Sequence, residues 1–507
     1  MTLPQRTALA LPQIARAARL AALARGIVVG LYLGRVLAET ALQPWPLRWL
    51  LPLVAGGLAA GVVVSLLAER TLRDPRPLLL LGAYVLWPAA SPGVAAAAFV
   101  AAVVVLAISN ARAFEMVRGP WPEALAAGGG LVLYASTVSP GLLPADSGEF
   151  QLVATVLGIA HPPGYPLYTL LGRLATLAVP WGDAALRLNL LSALCSALTL
   201  GLVAHTVRRR TGSAAAALVA AGALGLSTTF WAQATTANIR ALTGLFVALL
   251  LALALRWGEE RSARRLWVLA GVFGLAVGHH ASLAPLGLPL AGYVLWREPA
   301  LLRAPRRWAA PLAALVASLG VLLYLPVRSA MGAPFDPAPI RSVADFAEHV
   351  FALGFSGDML YYRTLADLLA RAAAWGQILR LEFGPWLLAG AVGAAALAAR
   401  RDRRATLLVG GTLAVNTALA VTYRAPQTVE YLLPTYVALA VLLGEGLGVI
   451  FLTPLLIRLF GVPAVGLSGA VLCLAALLLV LGLPADGRLR PRPTPSRHRP
   501  PFPTPDR

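Results

Sequence analysis

The sequence predicts an all-α fold, a polytopic transmembrane helical bundle. Three observations carry that expectation. Hydrophobic residues make up 58% of the 507-residue chain and charged residues only 13%, whereas a soluble domain carries about 25% charge. Apolar runs of about 20 residues recur along the chain, each long enough to cross a bilayer as a helix. These runs are rich in Leu and Ala and do not alternate with period two. In lipid the backbone must satisfy its own hydrogen bonds, so helices are favoured over a closed barrel.

Taken in order, the apolar spans lie near 22–40, 47–67, 77–90, 92–109 and 123–143. They continue near 186–206, 213–230, 241–257, 265–279, 281–297 and 309–327, and end near 384–400, 405–422, 431–451 and 463–483. The expected total is about 13–15 spans. Arg25 and Arg35 interrupt the first. The third is short and ends in a Trp-Pro-Ala-Ala-Ser-Pro-Gly turn, which suits a re-entrant segment. Two stretches are too polar to cross, Ser139 to Arg187 and Arg328 to Glu382. Both are expected as extracytoplasmic loop segments with short surface helices.

Charge orients the bundle. The net charge is +20, and the sequence contains no lysine, so all 42 basic side chains are arginine. They gather in short loops: Arg70, Arg73 and Arg76; Arg112 and Arg118; Arg208 to Arg210; Arg261, Arg264 and Arg265; Arg303, Arg306 and Arg307; and Arg400, Arg401, Arg403 and Arg404. With the spans above, all six clusters fall on one side, the pattern expected of cytoplasmic loops. That distribution excludes nucleic-acid binding as the reason for the basic charge. The Pro/Arg-rich tail after Leu483 falls outside by the same count, although its arginines favour the cytoplasm. Either a span between 431 and 483 is miscounted or the tail crosses. Cys195 and Cys473 lie inside apolar runs and form no metal or disulfide framework. Arg6, Arg16 and Arg19 precede a first run without a convincing cleavage site, so no cleavable signal peptide is expected. The expected divisions are 1–120 (N-terminal accessory helices), 121–455 (catalytic core), 456–483 (a final span) and 484–507 (a disordered tail).

The first polar segment carries the chemistry-bearing residues. Asp146 and Glu149 stand three apart in Asp-Ser-Gly-Glu, at the start of a helix. Carboxylates beside a bilayer are costly to desolvate. Two readings stand open: a capping-box helix start, or general-base or metal chemistry. His161-Pro162-Pro163-Gly164-Tyr165-Pro166 follows. Its prolines force an extended bend and Gly164 permits a turn. His161 either binds a phosphate or shares a proton, or it packs in a rigid connector. Elsewhere, His279 and His280 read as packed or hydrogen-bonded, Asn189 as a cap or a bond within the bundle, and Gly128 to Gly130 as a close helix contact. Arg328, Trp231, Tyr324, Tyr431 and Tyr436 read as anchors at span ends.

DSGEF, then HPPGYPLY, then ALRLNLLSAL resembles a family of GT-C type membrane glycosyltransferases that includes an animal O-mannosyltransferase acting on plexin-type receptor domains. The resemblance spans 125 to 440. STTFWAQA at 227–234, GLAVGHHAS at 274–282, LPVRSAMGAPFDPAPIRSVADFAEHV at 325–350 and VEYLLPTY at 429–436 extend it. It implies a GT-C-like bundle and an inverting transfer of a hexose, mannose-like, from a polyprenyl-phosphate donor to an extracytoplasmic protein or glycan acceptor. It also implies Asp146 as the base, with Glu149 orienting it or holding a divalent ion (Mg or Mn). His161, Pro163, Gly164, Tyr165, Asn189 and Arg328 would bind substrate, with His161 and Arg328 facing the lipid phosphate. The chain departs from the family where Glu-Val-Tyr is replaced by Asn238-Ile239-Arg240. The absence of lysine suggests a GC-rich bacterial genome, and hence an inner-membrane enzyme using undecaprenyl phosphate or a similar carrier. The competing reading is a transporter or lipid-linked-glycan flippase, which would place ionisable residues on broken helices at mid-membrane.

Overall fold

The structure is a computed structural model that describes residues 3–41, 50–72, 74–109, 119–424 and 427–452. Among these the only regular elements are helices, and the chain is an integral multi-pass membrane protein. The expected span at 463–483, Cys473, the tail from 484, and Arg73, Arg112 and Arg118 lie outside the described residues.

The N-terminal helices are α1 (Leu3–Ala41), α2 (Leu50–Thr71), α3 (Gly82–Val85, entered through a 3-10 turn at Arg76–Leu81) and α4 (Pro92–Ser109). Glycines let α1 and α2 touch backbone to backbone: a Cβ on Gly61 would stand 2.2 Å from the Gly26 carbonyl oxygen. The two arginines that interrupt the first apolar run are both engaged. Arg25 pairs with Glu69. Arg35 bonds Glu39 at 2.7 Å and donates to the carbonyls of Tyr84 (2.8 Å), Trp87 (2.7 Å) and Ala89 (3.0 Å). It therefore ties down the end of a helical segment of ten residues (Arg76–Val85), too short to cross a bilayer of about 30 Å. These helices share a small apolar cluster around Val29, Tyr32, Leu81 and Tyr84, separate from the main core.

The main bundle begins with α5 (Trp121–Thr137). The short α6 (Ala145–Val156) and α7 (Pro166–Ala178) follow, then α8 (Ala184–Thr211), α9 (Ala214–Gly225), α10 (Thr228–Ala234) and α11 (Ile239–Glu259). Next come α12 (Ala263–His279), α13 (Gly287–Arg297), α14 (Ala309–Leu319), α15 (Tyr324–Ala330), α16 (Val343–Val350), α17 (Leu365–Thr422), α18 (Thr428–Tyr431) and α19 (Leu433–Leu452). Side-chain caps start several of them. Asp183 accepts from the Leu186 amide at 2.8 Å, Ser213 from Ala216 at 3.2 Å, and Asn238 from Arg240 at 2.8 Å and Ala241 at 3.1 Å. The long α17 breaks twice, at Gly384 (φ 73°) and at Asp402 (φ −149°).

Among the described residues four helical stretches are long and apolar enough to cross a membrane, Ala184–Thr211, Ile239–Glu259, Pro305–Ala330 and Ala391–Thr422. A fifth is counted if α9 and α10, bent by 75°, act as one. Several expected spans are shorter or broken. The run at 281–297 is a 3-10 turn containing Pro285 followed by the 11 residues of α13. Of the glycine run on α5, only Gly130 meets a neighbour: its Cβ would stand 2.7 Å from Leu200 Cδ1, whereas Gly128 and Gly129 face open space.

The bundle is polar at its two ends. At one end, buried Glu445 (3% exposed) accepts from Arg210 at 2.8 Å, and Arg210 reaches Asp402 at 3.2 Å. Arg297 also bonds Asp402, and Arg209 pairs with Glu259. Helix α8 runs from that end to the other, about 42 Å away at 1.5 Å per residue. Asp402→Ala leaves Arg210 and Arg297 short of a counter-ion. We expect a loss of about 2–3 kcal/mol, below the full cost of breaking a deeply buried pair because the site is partly wet. Denaturation of the purified protein in detergent checks it.

Candidate active site

The end opposite the arginine network holds the residues that the sequence singles out. The path into α6 is fixed first. Asn189, 0% exposed, donates to the carbonyls of Ser139 (2.8 Å) and Gly141 (3.3 Å), and its oxygen accepts from Gln151 (3.0 Å) and the Ala237 amide (2.8 Å). Gln151 accepts in turn from the Leu143 amide at 3.0 Å. Asn189 is thus a saturated buckle beneath the loop, and its placement as a substrate contact is corrected to one of support. The glycine of Asp-Ser-Gly-Glu is demanded by packing, since a Cβ on Gly148 would stand 2.3 Å from the Leu143 carbonyl oxygen.

Asp146 occupies the first turn of α6 and is exposed. The capping-box reading does not hold. The helix starts at Pro144 without a side-chain cap, and Glu149 reaches forward rather than back. Glu149 accepts from the His161 amide at 2.7 Å and sits 2.5 Å from His161 Nδ1. Burial pushes the Glu149 carboxyl up, but the hydrogen bonds and charge of His161 outweigh it and leave it below its ordinary value. The hydrogen bond that His161 donates to Glu149 holds its imidazole above its ordinary value; burial and the Arg240 charge oppose this, and the charges of Glu149 and Asp146 assist it.

With both oxygens on His161, Glu149 does not suit a divalent ion. Among the described residues no three His, Cys, Asp or Glu side chains converge in a metal-ligand set. No step is derived through a metal.

The Pro-rich loop folds tightly. The Pro162–Pro163 peptide is cis, Gly164 has φ 87°, and its amide donates to the His161 carbonyl at 2.8 Å. Pro163 shapes this loop at its half-buried surface. Tyr165 is buried, with its ring edge-on to Phe150 (centroids 5.3 Å) and His161 (5.4 Å), and 5.6 Å from His280. His280 Nδ1 accepts from the Ser282 amide at 3.0 Å, and buried His279 lies within hydrogen-bond reach of Thr243 at 3.2 Å.

The second polar segment closes over the loop. Tyr324 donates to the Gly158 carbonyl (2.9 Å), the Ile159 amide donates to the Phe335 carbonyl (2.8 Å), and Arg328 Nε donates to the Leu157 carbonyl (2.8 Å). Arg328 therefore braces main chain through Nε. His349, buried on α16, lies against Gly164.

Arg240 went unassigned in the sequence reading, which noted it only as a departure from the resembling family. It is 7% exposed, and its guanidinium lies 3.6 Å from the centroid of the Tyr431 ring. Its charge acts on His161 and on Glu430. Burial raises the Glu430 carboxyl, Arg240 and a hydrogen bond from Gln233 pull it down, and Asp146 pushes it up. Asp146, Glu149, His161, Arg240 and Glu430 thus form one electrostatic neighbourhood. Tyr431 belongs to this site rather than to an interface belt, and Tyr436 is fully buried.

Residues 146–301 match the family model described as the Protein O-mannosyl-transferase TMEM260 N-terminal domain. That segment is similar to the TMEM260 N-terminal domain. It begins at Asp146 and includes Glu149, His161, Tyr165 and Arg240, so the resemblance read from DSGE and HPPG holds over it. The chain is 38% identical over 167 residues to "Protein O-mannosyl-transferase TMEM260" of Mus musculus, a match covering 32% of this chain and 24% of that protein. It is 27% identical over 132 residues to "Protein O-mannosyl-transferase tmem260" of Dictyostelium discoideum, covering 26% of this chain and 16% of that one. The matched TMEM260-type segment thus spans a quarter or less of either relative. Among solved structures the chain is similar to ArnT from Cupriavidus metallidurans bound to undecaprenyl phosphate. The TM-score is 0.47 and the identity 16%, over 71% of this chain and 70% of that one. The apo ArnT structure gives 0.48 over the same shares.

Two outcomes follow. The Glu149–His161 pair stabilises the fold fully only where Glu149 is ionised and His161 protonated. For His161, raised from 6.5, the contribution is complete below that value and is lost as pH rises through the raised one. For Glu149, lowered from 4.5, it is present above that value and is lost as pH falls through the lowered one. In Glu149→Gln the His161 titration, followed by NMR of labelled histidine, should move down, and the stability gap to wild type should narrow at alkaline pH. Gly164→Ala would set a Cβ 2.7 Å from Leu325 Cδ2 and 2.9 Å from His349 Nε2 at a positive φ, and should cost about 1–3 kcal/mol of thermal stability.

Proposed function

We propose that the chain is a membrane glycosyltransferase that moves a hexose, mannose-like, from a polyprenyl-phosphate sugar to a hydroxyl of a protein or glycan acceptor. The observation that carries this reading is the state of Asp146. It is an exposed carboxylate in the first turn of a helix. Among the described residues it has no hydrogen-bond or ion-pair partner, and it stands at the positive end of the helix dipole. It stands beside a charged His161–Glu149 pair, in a segment that matches the TMEM260 N-terminal domain.

In the proposed reaction Asp146 takes the proton of the acceptor hydroxyl as that oxygen attacks the anomeric carbon. The bond from that carbon to the phosphate oxygen breaks, and its electron pair leaves with the lipid phosphate. Attack opposite the leaving group inverts the configuration. A positioned base of this kind supplies on the order of 10²–10⁴-fold. His161, held protonated by Glu149, presents positive charge toward the departing phosphate, so Glu149 is a positioning residue. Pro163, Gly164 and Tyr165 hold His161 in place.

Orientation follows from the arginines. The end with Arg209, Arg210, Arg265 and Arg297 is assigned to the cytoplasm and the Asp146 end to the extracytoplasmic side, in a bacterial inner membrane. The divisions at 120, 455 and 483 are kept, with the four N-terminal helices as an accessory unit. A transporter would need ionisable groups at mid-membrane, and the ion pairs of the main bundle cluster instead at its ends.

The test is transfer from a polyprenyl-phosphate hexose to cell-envelope extract by protein purified into lipid. Asp146→Asn keeps the size and loses the base, and transfer should fall about 100-fold or more with the melting temperature unchanged. Equal transfer by both proteins would remove Asp146 from the mechanism.

A further inference from the structure

Arg240 is a buried cation at the edge of the candidate site. It is 7% exposed, at the first turn of α11, and its amide is capped by Asn238. Its guanidinium carbon lies over the Tyr431 ring, 3.6 Å from the centroid, and Tyr431 meets Tyr423 edge-on at 5.2 Å. Yet among the described residues the guanidinium has no hydrogen-bond or ion-pair partner. Asp146 and Glu430 act on the same neighbourhood, but neither comes within ion-pair distance of it, and Glu430 is engaged by Gln233. Other buried or half-buried arginines find acids, Arg25 with Glu69, Arg210 with Glu445 and Asp402, and Arg297 with Asp402, or find carbonyls, as Arg173 does on Thr155 and Arg187 on Thr176. A buried charge without a counter-ion is expensive, and such groups otherwise pair or shift. Here the described residues supply no paired counter-ion, which leaves the guanidinium open to an anionic ligand.

We propose that Arg240, stacked on Tyr431, is the anchoring site for the phosphate of the polyprenyl-phosphate donor. The ring supports one face of the guanidinium and leaves its N–H edges free. A planar fork with free edges matches two phosphate oxygens in a bidentate contact, which a point charge does not. The first turn of α11 adds the positive end of a helix dipole. The assignment adds a phosphate contact distinct from Arg328, whose Nε donates to the Leu157 carbonyl. It also gives a purpose to Arg240 in Asn238-Ile239-Arg240, where the chain departs from the family it resembles. The anion's identity rests on the glycosyltransferase reading; the need for an anion does not.

The experiment is equilibrium binding to the full chain in nanodiscs. The probes are a fluorescent polyprenyl phosphate, the matching polyprenol without phosphate, and inorganic phosphate as competitor. Wild type should prefer the phosphate over the alcohol by about tenfold or more, the range set by charge-assisted hydrogen bonds. Arg240→Gln should erase that preference while polyprenol binding stays as it was. Arg240→Lys, which keeps the charge and loses the fork, should recover only part of it and settles the matter if the Gln variant does not fold. Inorganic phosphate at the concentration of the lipid should not compete; if it displaces the probe equally well, the site serves a free phosphate and the lipid assignment fails. An unchanged preference in Arg240→Gln overturns the proposal. Should that occur while Asp146→Asn still abolishes transfer, the glycosyltransferase reading stands without it.

Discussion

The contact between Glu149 and His161 joins two pieces of chain that would otherwise be independent. One is α6, whose start is set by Asn189, Gln151 and the glycine at 148. The other is the Pro-rich loop, which turns sharply at Gly164 and feeds α7. A carboxylate that accepts both the main-chain amide and the ring nitrogen of one residue fixes position and orientation together. Phe150 then packs against the rings of His161, Tyr165 and Tyr168, so the pair is backed by apolar contact on one side and open on the other. Asp146, one turn before Glu149, inherits its place from this joint. Without it Asp146, the imidazole and the buried arginine would share no common frame.

That frame sits at one end of a bundle whose other end is held by ion pairs. The division follows from solvent. In the apolar middle of the membrane a charge has neither water nor lipid headgroup to meet it, so the charged side chains collect where helices end. Helices α8, α11 and α12 each run between the two ends, with arginine or glutamate at one terminus and site residues at the other. Asn189 and Asp183 lie at the start of α8 and Arg208 to Arg210 at its close. Asn238 and Arg240 begin α11 and Glu259 ends it. The same helices carry both features, and this fixes the separation between them.

The helical class, the polar segments and the collection of arginines at one end were legible because they depend on composition and run length. DSGE and HPPG were legible as a site because carboxylates and a proline-braced histidine in an apolar chain have few other uses. Three things were not. The capping reading of Asp146 and Glu149 followed from local spacing, and His161, twelve residues beyond Glu149, competes for Glu149 only once the loop folds back. Arg328 looked like a free cation because no sequence pattern marks a partner that is a main-chain carbonyl. Tyr431 and Arg240 are 191 positions apart, and nothing local to either hints at the stack between them. The one signal for Arg240 was an unusual basic residue in place of a familiar motif.

The joint between the two polar segments is made largely through main chain. Tyr324 and Arg328 reach the carbonyls of Gly158 and Leu157, and Phe335 offers its own carbonyl to the Ile159 amide. A carbonyl or an amide is the same group whichever side chain it carries, so on one side this recognition reads the path of the chain and not its letters. The Ile159 side chain adds an apolar contact to Leu325 and Ile340, and a single inserted or deleted residue would shift every one of these bonds out of register. The loop is guarded by its length, a quantity that substitution leaves untouched.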